Sequence, residues 1–354
     1  MGVKDSSMDN DLTVSGHALI GESLEMRPVT IVVKSGIITH IEDDLHAGDN
    51  WIIPAFFNAH THLGDTVAMD APANGDLVEL VTPPDGLKHR LLAAASRDDL
   101  VSGMRSSVLG MVQGGTAGCA DFREGGIDGA RALYEAASSL LPGLVVFGRD
   151  GGEQVAEGLG ISSARDVPDL ERQVKEARDG GKFIAFHAGE RDPDDVDAAL
   201  AFRPDLIVHG TYATRRQLMQ CADEEIPIAI CPRSNWALGV AGSRSEPPVH
   251  EMIDLGCRIL LGTDNVMFVQ PDMFAEMAFT HYVYRMPPAL LIRAAISGSQ
   301  LMDSSFFIRK GVPANFFVMD PGQSNMRFSL DNLATIVKRG SSAGIIKKFF
   351  ISDS

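Results

Sequence analysis

Residues 51–63 read WIIPAFFNAHTHL, an apolar run that ends in a His-x-His pair, His60 and His62. Nearly continuous apolar sequence is typical of strands buried in a parallel sheet. Side chains two residues apart on a strand lie on the same side of it, so both imidazoles can reach one ion. A His-x-His pair is common on its own, and its meaning depends on what the rest of the chain places beside it.

Seven more apolar runs follow between residues 116 and 265. They read TAGCADF (116–122), GLVVFGRD (143–150), EGLGISS (157–163), KFIAFHAGE (182–190), DLIVHGT (205–211), IPIAICPRSN (226–235) and RILLGTDN (258–265). Amphipathic helical patterns such as IDGARALYEAASSL and RRQLMQCADEE lie between most of them. This alternation of eight strands with helices predicts an α/β fold, the (β/α)8 TIM barrel.

The two ends of the chain have a different character. VTIVVKSGIITHIED (29–43) predicts a β-hairpin, and both ANFFVMD (314–320) and NLATIVKRG (332–340) also read as strands. We expect residues 1–53 and 312–354 to form one small β-sandwich domain beside a barrel of residues 54–311. The segment 64–90 is longer than an ordinary connection and predicts a lid or substrate loop over the barrel mouth.

Composition restricts the partners and the compartment. The formal net charge of −16 over 354 residues disfavours nucleic acid and anionic membrane as partners. The N-terminus is polar, and no apolar run reaches the roughly 20 residues that span a bilayer. The cysteines form no close C-x-x-C pair and predict reduced thiols in a cytoplasmic protein. They are Cys119, Cys221, Cys231 and Cys257.

Polar side chains gather at the C-terminal ends of the predicted strands. His187 and Glu190 end the fifth strand, His209 the sixth, Asn235 the seventh and Asp264 the eighth. In a parallel barrel these ends meet at one face, where active sites lie. Three histidines and one carboxylate suit Zn²⁺, and Fe²⁺ or Mn²⁺ would also fit. The sequence therefore predicts a metal site at this face.

Over nearly the whole chain, these residues resemble the amidohydrolase superfamily. NAHTH (58–62), HAGE (187–190), CPRSN (231–235) and GTD (262–264) look like its deaminase and chlorohydrolase branch, which includes cytosine, guanine and S-adenosylhomocysteine deaminases and triazine hydrolases. Binuclear members carry a bridging lysine or acid at the end of the fourth strand, but EGLGISSA has neither there. The resemblance therefore implies one divalent ion per chain, zinc first and iron or manganese as alternatives. The implied ligands are His60, His62, His187 and Asp264.

The resemblance also implies a reaction, the hydrolytic deamination of an amino-substituted heterocycle by a metal-bound hydroxide. The substrate would be a purine, pyrimidine or pterin base, or a nucleoside-like compound. Asp264 would accept a proton from the water, Glu190 would carry protons to a ring nitrogen and the leaving amine, and His209 would stabilise the tetrahedral intermediate.

Other readings remain open. The same centre could open a cyclic amide or displace halide from an azine. A non-catalytic ligand-binding barrel is a third possibility, against which the presence of Glu190 counts. Relatives commonly form dimers, so the resemblance allows a homodimer.

Five residues are candidates for substrate contacts. Arg123 and Arg149 follow the second and third strands, and each can bind a carboxylate, phosphate or ribose or form a salt bridge at the rim. Asn235 shapes the barrel mouth, Trp236 can stack on a flat ring or pack in the core, and His89 can reach the site if its loop folds over. Beyond His62 the sequence lacks the Arg-Gly segment usual in nucleoside deaminases, so the substrate stays open.

Overall fold

The structure, a computed structural model, describes residues 11–71, 77–81 and 86–351. Its strands fall into a terminal set and a central set. The terminal strands are β1 Leu12–Ile20, β2 Glu25–Lys34, β3 Ile37–Asp43 and β4 Trp51–Pro54, with β14 Phe316–Met319 and β15 Ile345–Phe349 from the other end. The central strands are β5 Phe56–His62, β6 Thr116–Arg123, β7 Gly143–Gly148, β8 Gly158–Ile161, β9 Phe183–Ala188, β10 Leu206–His209, β11 Ile228–Ile230, β12 Ile259–Leu261 and β13 Asp264–Asn265.

Helices connect the central strands, as the amphipathic patterns predict. They are α1 Leu77–Val81, α2 Leu87–Ala94, α3 Arg97–Gln113, α4 Gly126–Ala137, α5 Leu170–Asp179, α6 Pro193–Leu200, α7 Arg215–Asp223, α8 Pro232–Ala237, α9 Val249–Asp254, α10 Met273–Tyr284, α11 Pro288–Ser297 and, near the C-terminus, α12 Asn332–Arg339. Local chemistry sets several boundaries. Ser96, for example, caps α3 by accepting a hydrogen bond from the backbone N–H of Asp99, at 3.1 Å.

The central strands form one parallel sheet in the order β12-β11-β10-β9-β8-β7-β6-β5-β13. Only Gly262 and Thr263 separate β12 from β13, and β13 pairs with β5, so consecutive residues join the two edges of the sheet. The predicted α/β fold is confirmed, with a curled nine-stranded parallel sheet of the TIM-like barrel type. All eight predicted barrel strands occur, and their C-terminal ends lie on one face.

The two ends of the chain supply a separate sheet of six strands in the order β15-β14-β4-β1-β2-β3. Its predicted hairpin turns at Ser35 and Gly36, where φ is 48° and 80°. Positive φ at both turn residues fits a two-residue turn whose twist matches the strands. The described strands of both ends belong to this one sheet, and the two-layered sandwich stays a prediction.

The prediction of a strand in NLATIVKRG is wrong, because residues 332–339 form helix α12. Asp331 caps this helix by accepting a hydrogen bond from Ala334 N–H at 3.0 Å. Its apolar residues Leu333, Ile336 and Val337 follow helical spacing, and the helix packs against α10 and α11 of the barrel. The run of β-branched residues in the sequence was outweighed by this cap and by the helical spacing.

The segment 64–90 does pass over the barrel mouth where the structure describes it, since Val81 and Lys88 line the pocket at that face. Residues 72–76 and 82–85, on which the lid prediction also falls, lie outside the described residues. Within the described part of the chain, no helix is long and apolar enough to cross a membrane. The four cysteines are free thiols, three of them buried.

Candidate metal centre and active site

Four side chains from three strand ends point their ligand atoms at one another. His62 Nε2 lies 3.3 Å from His187 Nε2, and His60 Nε2 lies 3.1 Å from Asp264 Oδ1. His62 Nε2 is 3.5 Å from that same oxygen. The ligand atoms of His60, His62 and His187 all lie within 4.8 Å of one another, as do those of His60, His209 and Asp264. His60 belongs to both groups, so the side chains converge on one small volume.

The protonation of these rings suits a cation. Burial lowers the pKa of His60 to about 4 and holds the pKa values of His62 and His187 well below the usual value for histidine. His187 Nδ1 donates to the carbonyl oxygen of Ile161 at 3.0 Å, which leaves its Nε2 lone pair bare. Neutral imidazoles with lone pairs facing a shared point are the donor set that a divalent ion requires.

Asp264 supplies the negative charge of the group. Burial acts to raise its pKa, but the neighbouring imidazoles of His60, His209 and His62 outweigh burial and hold the pKa well below the usual range. Ser234 donates to the other carboxylate oxygen at 2.6 Å. The carboxylate is therefore ionised and held in a fixed orientation toward the histidines.

The closure of the barrel places His60 and Asp264 together. Asn58 donates to Thr263 Oγ1 at 2.7 Å and accepts from the backbone N–H of Thr263 at 3.0 Å, which ties the first strand to the eighth. A Cβ at Gly262 would lie 2.8 Å from the backbone nitrogen of His60, so only glycine permits this approach. In the GTD run, Gly262 and Thr263 are therefore needed to pack the first strand against the eighth, and Asp264 supplies the carboxylate.

His209 and Asp264 both adopt positive φ, at 76° and 62°. Such backbone conformations cost non-glycine residues about 1–3 kcal/mol and cluster at functional sites. At these two strand ends the unusual backbone turns the side chains toward the shared volume. The strain was not readable from the sequence, although histidine and aspartate tolerate it better than most residues.

Glu190 and His209 form a pair at the mouth of this centre. Glu190 Oε1 lies 3.4 Å from His209 Nε2, and the glutamate side chain is 19% exposed whereas the histidine is 1% exposed. His209 Nδ1 donates to Asn235 Oδ1 at 3.0 Å, and Asn235 in turn donates to Thr211 at 2.9 Å. Burial raises the pKa of Glu190 above its ordinary value. Asn235, predicted to shape the barrel mouth, thus lies where its side-chain amide contacts His209.

A buried charge network beside His62 was missed by the sequence reasoning. Glu124, just after β6, has one oxygen 3.2 Å from His62 Nδ1 and 3.0 Å from Lys88 Nζ. Lys88 also lies 2.9 Å from Asp65, and both of these side chains are almost fully buried. The strand-end position of Glu124 was a usable signal, but Lys88 belongs to the long segment after His62. Only the tertiary structure brings Lys88 to the centre.

In this network, burial raises the pKa values of the carboxyl groups, and the neighbouring cations lower them. Burial acts to raise the pKa of Glu124, but Lys88, Arg123 and His62 together hold it well below the usual range. Burial raises the pKa of Asp65 to about 7 against the opposing charge of Lys88. Burial also raises the pKa of Asp121, which accepts from Leu63 N–H at 2.6 Å, to about 6. The network therefore depends on its cations to keep Glu124 ionised.

The Lys88→Met variant is expected to lower the free energy of unfolding by about 3–5 kcal/mol, because it leaves buried carboxylates without their partner. Chemical denaturation of the metal-loaded protein measures this. Lys175→Met is the control, since Lys175 pairs with Asp179 on an exposed helix face, and little change is expected there. An unfolding free energy for Lys88→Met equal to that of the control would contradict a structural role for the network.

The remaining predicted contacts lie further from the centre. Arg149 lines the pocket, with one guanidinium nitrogen 3.3 Å from Glu124. Arg123 is buried and forms a salt bridge with Glu124 at 2.6 Å. Of the two roles that the sequence allowed for Arg123, this contact is the salt bridge at the rim. Trp236 donates to Tyr284 at 2.8 Å and packs beside Phe279. His89 bonds the carbonyl oxygen of Val81 and lines an adjoining cavity.

Comparisons with known proteins bear on the family and the fold. A family model described as adenosine deaminase matches residues 130–307. A putative aminohydrolase of Methanothermobacter thermautotrophicus is 31% identical, over 94% of this chain and 95% of its own length. Two solved structures share the fold. Zinc-complexed atrazine chlorohydrolase from Arthrobacter aurescens has a TM-score of 0.77 and 16% identity over 95% of both chains. Guanine deaminase from C. acetobutylicum, with guanine in its active site, has a TM-score of 0.76 and 14% identity over 96% of this chain and 98% of its own.

The barrel, the histidine cluster and these matches place the chain among the metal-dependent hydrolases that act on carbon–nitrogen bonds other than peptide bonds. The chain belongs to the adenosine deaminase family, within the amidohydrolase superfamily. The resemblance noted from the sequence is thereby confirmed.

Proposed function

We propose that this protein hydrolytically deaminates an amino-substituted heterocycle, releasing ammonia and leaving a carbonyl group in its place. The observation that carries the proposal is the Glu190–His209 contact of 3.4 Å beside the convergent ligand atoms. An acid that is close to the reacting carbon but outside the ligand set is what proton delivery to a leaving amine requires.

The residues that would hold the ion are His60, His62, His187 and Asp264, with one zinc ion per chain as the proposed complement. When bound, a divalent ion of this kind supplies an activated water nucleophile at neutral pH. Asp264 is held ionised by His60 and can accept a proton from the attacking water. The Phe122 ring lies 4.7 Å from the His60 ring and 4.5 Å from the His187 ring, measured between centroids, and helps to exclude bulk water beneath the centre.

Glu190 is proposed to move the protons. Its raised pKa favours the protonated carboxyl, which can donate to a ring nitrogen next to the reacting carbon. The resulting carboxylate can then take the proton of the hydroxyl group formed on that carbon and pass it to the departing amine, which leaves as ammonia while the carbonyl forms. Asn235 holds the proton of His209 on Nδ1, so His209 Nε2 faces Glu190 as an acceptor. His209 is thereby fixed where it can bind the hydroxyl group that forms on the substrate.

Glu124 is proposed to orient the ligand His62, because it is the carboxylate closest to His62 Nδ1. The Glu124→Gln variant is therefore expected to bind metal about 10-fold more weakly. Competition with a chromogenic chelator measures this affinity. Glu276→Gln is the matched control, since Glu276 is a buried partner of Arg233 at 2.6 Å and contacts none of the proposed ligands. Equal affinities in the two variants would show that Glu124 does not orient His62.

The proposed activity is tested by ammonia release from the metal-loaded protein on a panel of aminopurines, aminopyrimidines, aminopteridines and their nucleosides. Cyclic amides and chloro-substituted azines are assayed in parallel for ring opening and chloride release. Ammonia release from at least one amine supports the proposal. Exclusive ring opening or dechlorination would replace it with one of the alternative reactions, and binding without any turnover would favour a non-catalytic barrel.

We propose a division into residues 1–53, 54–311 and 312–354, with the two terminal parts forming a β-sandwich, and a cytoplasmic protein that binds neither nucleic acid nor membrane. A homodimer is also proposed, which light scattering after size-exclusion chromatography would check. Elemental analysis would check the metal, and two ions per chain would contradict the mononuclear site.

A further inference from the structure

The pocket at the proposed ligands is too small to hold a substrate by itself. Its volume is about 70 Å³, whereas sites for small molecules measure about 300–1,000 Å³. A second cavity of about 800 Å³ adjoins it. Arg149, Ser162 and Asp166 line both spaces, so the two are neighbours. For a substrate larger than the first pocket, the second cavity is an adjacent further space.

The lining of this adjoining cavity is mixed, and a group of apolar side chains forms one part of it. Leu159 and Ile161, at the end of β8, contribute to it, as do Leu100 and Met104 of α3 and Leu92 of α2. Leu159, Ile161 and Met104 are almost fully buried, so the accessible apolar surface comes from less buried side chains such as Leu92 and Leu100. The fourth barrel strand brings no ligating side chain to the metal centre, and its apolar end lines this cavity instead. Such a surface favours an apolar group that leaves water.

Arg149 stands where the two spaces meet, and its hydrogen bonding is incomplete. Its Nε has no hydrogen-bond partner among the described residues. Its Nη2 lies 3.1 Å from His187 Nδ1, which already donates its proton to Ile161. An acceptor atom on a bound ligand, such as a carbonyl oxygen or ring nitrogen, would complete these bonds.

The charges around the cavity disfavour an anionic ligand. Glu124 pairs with both Arg123 and Arg149, and Arg97 pairs with Glu135 at 2.6 Å. Asp128 and Asp150 are exposed and add negative charge to the lining. The lining carries four carboxylates, those of Glu124, Asp128, Asp150 and Asp166, beside three arginines, so a phosphate or carboxylate would meet acidic neighbours.

We propose that the adjoining cavity is a substrate subsite for a bulky, uncharged and largely apolar substituent, carried by the amino heterocycle beside an acceptor atom that Arg149 binds. This inference rests on the proposed function, because it takes the metal-side pocket to hold the reacting carbon. It implies that the substrate is a substituted heterocycle rather than a small free base.

The test compares matched pairs of ligands on the metal-loaded protein, adenine with 9-benzyladenine and cytosine with 1-benzylcytosine, by calorimetry and by ammonia release. At least one benzyl compound is expected to bind about 10-fold or more tightly than its parent. The analogue with a carboxylate on its benzyl ring is expected to bind more weakly than the uncharged one. Equal binding of both pairs, or tighter binding of the carboxylate, would overturn the proposal.

Variants that fill the cavity give a second test. Ala93 is exposed and lines the cavity, whereas its neighbour Ala94 is exposed on the same helix but does not line it. Ala93→Trp is expected to abolish the preference for the benzyl compound, and the matched control Ala94→Trp to retain it. Val167→Trp, from another part of the lining, should act like Ala93→Trp. A preference unchanged in both lining variants would refute the subsite, whereas a benzyl preference in binding without any ammonia release would refute only the proposed deamination.

Discussion

The Glu190→Gln variant is expected to lose hydrolytic turnover by about 10²- to 10⁴-fold while still binding its metal ion. Glutamine fills the same volume but cannot carry a proton to a leaving amine. Glu190 lies 3.4 Å from His209 and contacts none of the proposed ligand atoms, so its substitution leaves the ligand set whole. Turnover would be followed by ammonia release, and metal binding by elemental analysis after gel filtration.

Glu171→Gln is the control for this variant, because Glu171 is exposed on α5 and lines neither of the two cavities at the barrel mouth. It is expected to match the unmodified protein in both rate and metal content. If Glu190→Gln instead lost its metal, Glu190 would have to be a ligand, and the division between ligands and proton carrier would be wrong. Full turnover with full metal content would exclude Glu190 as the proton carrier.

The His187→Ala variant is expected to bind metal at least about 100-fold more weakly and to lose activity with it. Removing a group that only orients a ligand already costs about 10–100-fold in affinity, and His187 is a proposed ligand whose Nε2 lies 3.3 Å from that of His62. Chelator competition would give the affinity. Thermal unfolding gives an independent measure, because a bound ion stabilises the folded state and its removal lowers Tm.

His281→Ala is the matched control for His187→Ala. His281 Nδ1 contacts the carbonyl oxygen of Met286 at 3.0 Å, the same distance as from His187 to Ile161, but His281 lies on helix α10. A chelator should lower the Tm of the unmodified protein and of His281→Ala, and leave that of His187→Ala unchanged. A chelator-dependent fall in Tm for His187→Ala equal to that of the control would remove His187 from the ligand set.

These effects are expected to be large because few other side chains at the centre could replace a lost metal ligand. The imidazoles are buried and neutral, and the group has a single ionised carboxylate, from Asp264. A cation that enters this volume therefore meets the ligands in place and pays little to reorganise them. The same burial makes each ligand hard to replace, because water does not readily take over a lost position in an apolar surrounding.

The sequence alone determined the strand framework and named the residues of the proposed metal centre. Eight apolar runs that alternate with amphipathic helical patterns predicted a parallel barrel, and the C-terminal ends of parallel strands must meet at one face. His60, His62, His187 and Asp264 could be named because each stands at such an end. The failure at residues 332–340 was local, since β-branched residues suit a strand as well as a short helix with a cap.

Only the tertiary structure decided what surrounds that centre. Lys88 lies in a connection with no regular pattern, and its contact with Glu124 depends on how that connection folds over the barrel. The folded chain also sets the positive φ of His209 and the volume of each cavity. It places Arg149 where its side chain lines both cavities. Strand periodicity fixes which residues reach the barrel face, but the conformations of the connecting segments determine the space left for a substrate.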